Sequence, residues 1–251
     1  MNKKTTLMIR TRKAPRVEKL VPLGTGRVTL LPVEYHDAYF KNLVRTSTPT
    51  PRLRVVSSAS ASAASPLLFG RRGVHGDGSC FFHSLCCAKN TNNYLSRTPQ
   101  EQQQIGHKFR CKFIQHVTPE RWAQFLKSQR VRTTTSFETL KKQFCTNNHW
   151  ADELMIKLVS DVLHLNLIFM NGETRRTYCG VHGVRNEPMI LILWLKHSHF
   201  EPVFCVRAIK PADGSSGRVV RAQFMFDHIK DKNVIDAVFR NYKRTCRDVV
   251  L

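Results

Sequence analysis

The sequence has no Cys-x-x-C pair, no internal repeat and no apolar run long enough to cross a bilayer. It is also poor in acid: 18 Asp and Glu stand against 40 Lys and Arg, a net charge of +22. Each shortage excludes something. The eight cysteines, at 80, 86, 87, 111, 145, 179, 205 and 246, lack zinc-ribbon spacing, so no metal framework is expected from them. No long apolar stretch follows the opening Met-Asn-Lys-Lys-Thr-Thr, so no signal peptide is expected and the thiols should be reduced, in cytoplasm or nucleus. The longest apolar runs, Leu163–Met170 and Met189–Leu195, are too short for a span. The expectation is a soluble intracellular protein with no membrane association.

The basic excess is spread along the chain. Residues 1–66 carry 12 basic and 3 acidic side chains, residues 67–206 carry 18 and 10, and residues 207–251 carry 10 and 5. Affinity for polyanions, nucleic acid above all, is one expectation, with the two tails as its carriers; a well-solvated surface is the other.

Residues 1–66 read as a basic, largely disordered extension. A short strand is expected at Arg27–Val33 and a short helix at Glu34–Val44, and a Ser/Thr/Ala/Pro linker follows over 46–66. The domain is expected to begin after Pro66 and to run over 67–206. Helical spacing marks Pro99–Val117, Arg121–Arg130 behind a Thr118-Pro119-Glu120 start, Ser136–Phe144 and Trp150–His164. The period then changes. Asn166–Met170, Met189–Leu195 and Phe200–Val206 are compact apolar runs suited to buried strands. Helices packed on a small sheet make an α+β domain. A C-terminal extension over 207–251 holds a polar turn and a helix expected at Asn233–Tyr242.

Chemistry concentrates at His75–Ala88, where His-Gly-Asp-Gly-Ser-Cys leads into an apolar run. The pattern predicts a tight loop feeding a helix with Cys80 in its first turn. There the helix dipole favours a thiolate and free N–H groups can face an anion. A base for Cys80 is offered by His199, at the start of the last strand, with Glu201 two residues on and on the same face. The implied chemistry is Cys–His acyl transfer, with backbone N–H groups of Asp77, Gly78, Ser79 and Cys80 as oxyanion donors. Other readings stand beside it. A cysteine before an apolar run is often a buried structural thiol. His75, His83 and Cys86 could form a metal site, though one without a convincing fourth ligand.

Taken together the residues resemble a family. Asp77-Gly-Ser-Cys80-Phe-Phe-His-Ser-Leu85 resembles the nucleophile motif of the ovarian-tumour (OTU) cysteine proteases, and His199-Phe-Glu-Pro-Val203 resembles their histidine motif. The stretch from Trp150 through Ala151, Leu154 and Asp161 to Ile168 resembles the intervening helix and strand. The resemblance covers roughly 67–206. It implies a papain-like α+β fold and cofactor-free isopeptidase activity on ubiquitin or ubiquitin-like conjugates. Cys80 matches the nucleophile, His199 the general base, and Asp77 the motif aspartate of the oxyanion loop. Glu201 stands where the family commonly has Asp or Asn, so either Glu201 adapts or another polar group orients His199; His197 is a weaker base candidate. Ubiquitin's tail carries arginines, for which Asp152, Glu153, Glu173 and Glu187 are the available acids. A weak or inactive relative that binds ubiquitin or nucleic acid is the alternative. A compact catalytic domain on a basic, low-complexity chain would suit a large DNA virus acting on host ubiquitin signalling.

Overall fold

A computed structural model describes residues 20–32, 67–130, 132–146, 149–174, 177–179, 188–196, 198–209 and 219–224. The expected linker over 46–66, the helices expected at Glu34–Val44 and Asn233–Tyr242, and residues His197 and Glu187 lie outside them. Among the described residues, seven strands form one sheet: β1 (Val28–Leu30), β2 (Leu67–Arg72), β3 (Asn166–Asn171), β4 (Thr177–Cys179), β5 (Met189–Leu195), β6 (His199–Ile209) and β7 (Val219–Phe224). Their order is β1-β2-β6-β5-β3-β4, with β7 also paired to β6. Only β3 and β5 run parallel, joined in register from Asn166↔Met189 to Asn171↔Trp194. The other pairings are antiparallel. The architecture is α+β, as expected.

Among the described residues six helices accompany the sheet: α1 (Cys80–Lys89), α2 (Thr91–Leu95), α3 (Pro99–Gln115), α4 (Pro119–Ser128), α5 (Phe137–Cys145) and α6 (Glu153–Leu163). Local chemistry sets their starts. Thr98 and Glu101 form a reciprocal capping box ahead of Pro99, and the Thr118 hydroxyl accepts from Arg121 N–H ahead of Pro119. Ser136 caps α5 and Asp152 caps α6 in the same way. The Asp152 cap corrects the expected helix from Trp150: α6 starts at Glu153, and Trp150 is left 56% exposed ahead of it.

Helix α1 is the centre of the core. Phe81, Phe82 and Leu85 are buried among Phe113, Ile114, Phe144, Phe169, Phe200 and Phe204. A helix apolar nearly all round must be covered on every side, and α3 and β6 lie against it. Strand alternation puts Phe200 and Phe204 on the face packed against α1, and His199 and Glu201 on the other.

Two expectations about domain limits need correction. Residues 20–32 do not stand apart from the domain as a disordered extension. β1 pairs with β2 from Val28↔Arg72 to Leu30↔Gly70, and Leu20 and Leu31 are buried. The sheet also runs past 206, because β6 continues to Ile209 and pairs with β7. Strands β2, β4 and β7 and helix α2 carry too few periodic positions to have been expected. No helix among the described residues is long and apolar enough to cross a membrane.

Candidate active site

Cys80 is the first residue of α1, and Ser79, its N-cap, contributes no side-chain cap. The loop before it turns at Gly78, whose φ of 82° lies in the left-handed region that glycine tolerates. His199 opens β6, paired across from Leu195 of β5. The two are brought together by packing. Ser84, one turn after Cys80 and fully buried, donates to Cys80 O at 2.9 Å or to Phe200 O at 3.1 Å, tying the helix start to the strand that carries His199. Cys80 Sγ lies 3.6 Å from Ser198 O, the residue before His199, and is near enough to raise the His199 pKa.

The His199 ring has two distinct sides. A Cβ at Gly76 would sit 3.7 Å from Nδ1, so that nitrogen faces the nucleophile loop. Nε2 lies 3.5 Å from Glu201 Oε1, close enough for charge attraction but without hydrogen-bond alignment. Burial alone would lower the His199 pKa. Contacts with Cys80, then Glu201, outweigh it and raise it to about 9. Burial instead pushes the neighbouring Cys86 and Cys87 thiols up to about 12, which makes them poor nucleophiles at neutral pH.

Glu201 is completely buried and its carboxylate is shared. Oε1 accepts the Leu23 N–H at 2.6 Å, and Oε2 accepts Arg71 Nη1 at 3.1 Å. The extra methylene relative to aspartate carries the carboxylate to these donors as well as to His199.

Asp77 does not reach His199. Its Oδ1 accepts Ser79 N–H at 2.9 Å, and both oxygens lie within 3.2 Å of His83 Nε2. Burial would raise the Asp77 pKa, but the His83 contact and the Ser79 N–H hold the carboxyl below its ordinary value. His83 Nδ1 is 3.1 Å from Tyr94 Oη, so both ring nitrogens are engaged within the fold, away from the metal grouping with His75 and Cys86. The Ser79 N–H is bound by Asp77 Oδ1, which leaves the Asp77, Gly78 and Cys80 N–H groups as the candidate oxyanion donors.

Several residues were not legible as site residues. Arg110, fully buried on α3, donates from Nη1 to Gly78 O at 3.3 Å and from Nη2 to Gln143 O at 2.8 Å, with its guanidinium over the Phe82 ring. An arginine one turn from Gly106 and from Ile114 on a helix was the available signal. Ser84, isolated in an apolar helix, was another. Arg71 and Leu23 gave none. Beside Gly76, Asp77 and Gly78 opens a cleft of about 750 Å³, walled by Gln100, Gln103, Gln104, His107 and Trp150. Among the described residues Asp77 is the one acid that lines it; Asp152 caps α6 and Glu153 pairs with Lys157.

No protein family profile matches the chain. No curated protein matches it either. Solved structures do. The OTU domain of OTUD1 is 16% identical over 68% of this chain and 93% of its own, with a TM-score of 0.42. The viral OTU domain protease of Qalyub virus is 16% identical over 55% and 89%, with a TM-score of 0.39. The Hazara virus OTU bound to ubiquitin is 16% identical over 61% and 97%, with a TM-score of 0.36. In structure, this chain is similar to OTU domains of viral and other origin, at low sequence identity.

Proposed function

We propose that this protein is a cysteine-dependent isopeptidase that cleaves ubiquitin or a ubiquitin-like modifier from its conjugates. The observation that carries the reading is the contact between Cys80, at a helix start, and His199, whose proton affinity is raised by that contact and by Glu201. Cys80 Sγ attacks the isopeptide carbonyl while His199 Nδ1 holds the thiol proton. The carbonyl oxygen becomes an oxyanion, met by the Asp77, Gly78 and Cys80 N–H groups. His199 returns the proton to the departing lysine amine, the C–N bond breaks, and a thioester remains on Cys80. Water, deprotonated by His199, then hydrolyses the thioester and frees the modifier's carboxylate. No cofactor is needed. Eight cysteines without a disulfide framework suit a reducing compartment, so the proposal places the reaction inside the cell, in cytoplasm or nucleus. The basic tails, at +9 and +5, are proposed to bind nucleic acid with an affinity that falls steeply with salt.

Ubiquitin bearing an electrophile at its C-terminal glycine tests the reading. A covalent adduct is expected with the wild type and none with Cys80→Ala. Absence of adduct from folded wild type overturns it. The unaligned Nε2–Glu201 contact favours one second reading, a weak or inactive relative that binds ubiquitin without cleaving it. Binding without adduct or turnover would select it.

A further inference from the structure

The face of β6 that carries Glu201 is covered by chain from far upstream. Val21 O accepts Arg71 Nη1 at 2.7 Å, and Leu23 N–H reaches Glu201 Oε1 from 178 residues away. The segment is anchored on both sides of these contacts. Leu20 is buried, with its Cβ 3.6 Å from where a Gly172 Cβ would stand, and Leu31 N–H bonds to Phe69 O at 2.9 Å. Gly73 allows the approach: a Cβ there would meet Gly24 O at 2.3 Å and Leu23 Cβ at 2.8 Å. β1 then pairs alongside β2, the strand that carries Arg71.

A carboxylate with no solvent contact stays ionised only if donors replace its water. Glu201 has two such donors, one from Arg71 and one from the Leu23 main chain. Arg71 is also tied to Val21, so a single clamp joins the segment, β2 and the carboxylate. Among the described residues, the titratable and charged groups facing Glu201 are Arg71 of β2 and His199 of its own strand, with the Cys80 side chain of α1 beyond His199.

We infer that Arg71 and the Leu23 main chain are positioning groups of the candidate active site, holding the Glu201 side chain against His199. Residues 20–23 are then part of the active centre, not an extension of it. Without the clamp, the Glu201 carboxylate is free to turn away, and the His199 ring loses the group that lies 3.5 Å from its Nε2. The inference rests on the Cys80–His199 pairing proposed above, but its test does not need ubiquitin.

In the full chain, the rate of Cys80 alkylation by iodoacetamide at neutral pH reads the pairing directly, with the Cys80 peptide followed by mass spectrometry. Arg71→Met and Leu23→Pro, which removes the N–H donor, are each expected to slow it about ten-fold. Arg71→Lys, which keeps a donor and a charge, should recover most of the rate. In a Glu201→Gln background, Arg71→Met should add nothing further, since it acts through Glu201. Wild-type rates in folded Arg71→Met, or additive losses in the double variant, overturn the inference. If Arg71→Met does not fold, Leu23→Pro, alone and in the Glu201→Gln background, decides it by the same criteria. Ubiquitin cleavage unaffected by Arg71→Met would remove this inference and leave the isopeptidase reading standing. The alkylation pattern without any ubiquitin adduct would do the reverse.

Discussion

Asp77 and His83 face each other across the nucleophile loop, with His83 Nε2 at 3.2 Å from Oδ1 and 3.1 Å from Oδ2. The motif aspartate is therefore bound to the helix that follows it, while His199 turns toward Cys80 and Glu201. Its effect on the site runs through the shape of the loop.

Replacing His83 tests that role. His83→Ala would leave Asp77 and the Tyr94 hydroxyl without their shared partner in a buried place. A loss of about 1–3 kcal/mol in urea unfolding is expected for the unsatisfied groups. Turnover should fall with it, because the loop carries Gly78 and Cys80. Unchanged turnover would free the loop from His83.

Gly106 makes room for the same ring. A Cβ there would stand 2.2 Å from His83 Cε1, and a fully buried imidazole has no space to retreat. Gly106→Ala should cost about 1–3 kcal/mol by overpacking, although alanine is the better helix former. A stabilised variant would show that α3 can slide away from His83.

Arg110 ties Gly78 O to Gln143 O, joining the nucleophile loop to α5 through α3. Arg110→Met keeps the stem and drops both donors, so stability should fall by about 2–4 kcal/mol and kcat by about ten-fold or more. Arg110→Lys is not expected to rescue, since one ammonium does not reproduce a planar fork. Urea midpoints and steady-state kinetics check both expectations.

The His199 pKa, raised from 6.5 to about 9, has a consequence for stability. A group that binds its proton more tightly when folded contributes stability that is complete below its unfolded pKa and lost as pH rises through the folded one. The wild type should therefore lose stability relative to His199→Gln between about pH 6.5 and about pH 9. Urea unfolding of both proteins across that range measures it. A constant gap between them would mean that His199 has no raised proton affinity.

Trp150 stands exposed at the cleft beside the loop. Trp150→Ala should leave the melting temperature nearly unchanged, as exposed sites do, and raise KM several-fold with kcat within about two-fold. An unchanged KM would take the cleft out of substrate binding.

Much of this was readable in advance because the information is local. Thr118-Pro119-Glu120 announces a helix start through its own side chains, and the start of α4 matches it. The run Met189–Leu195 is apolar at every position, as a strand covered on both faces must be, and it lies at the middle of the sheet. The helix start at Cys80 follows from Gly-Ser-Cys before an apolar run. The helix expected over Trp150–His164 starts only at Glu153, because the Asp152 side chain caps it there. Leu67–Arg72, with a glycine and two arginines in six residues, gives no periodic signal, yet it forms the strand that supplies Arg71.

Local pattern is enough to read the longer helices, the central strands and the candidate residues Cys80 and His199 in their order along the chain. Periodicity, caps and motif residues act over a few positions, so each is written where it operates. Tertiary structure decided what steadies those residues. Leu23 meets Glu201 across 178 positions, and Gly78 meets Arg110 across 32. Such contacts exist only once the sheet has closed and a buried charge or carbonyl must find a donor in place of water. That demand, and no local pattern, brings residues 20–23 to the back of the histidine strand.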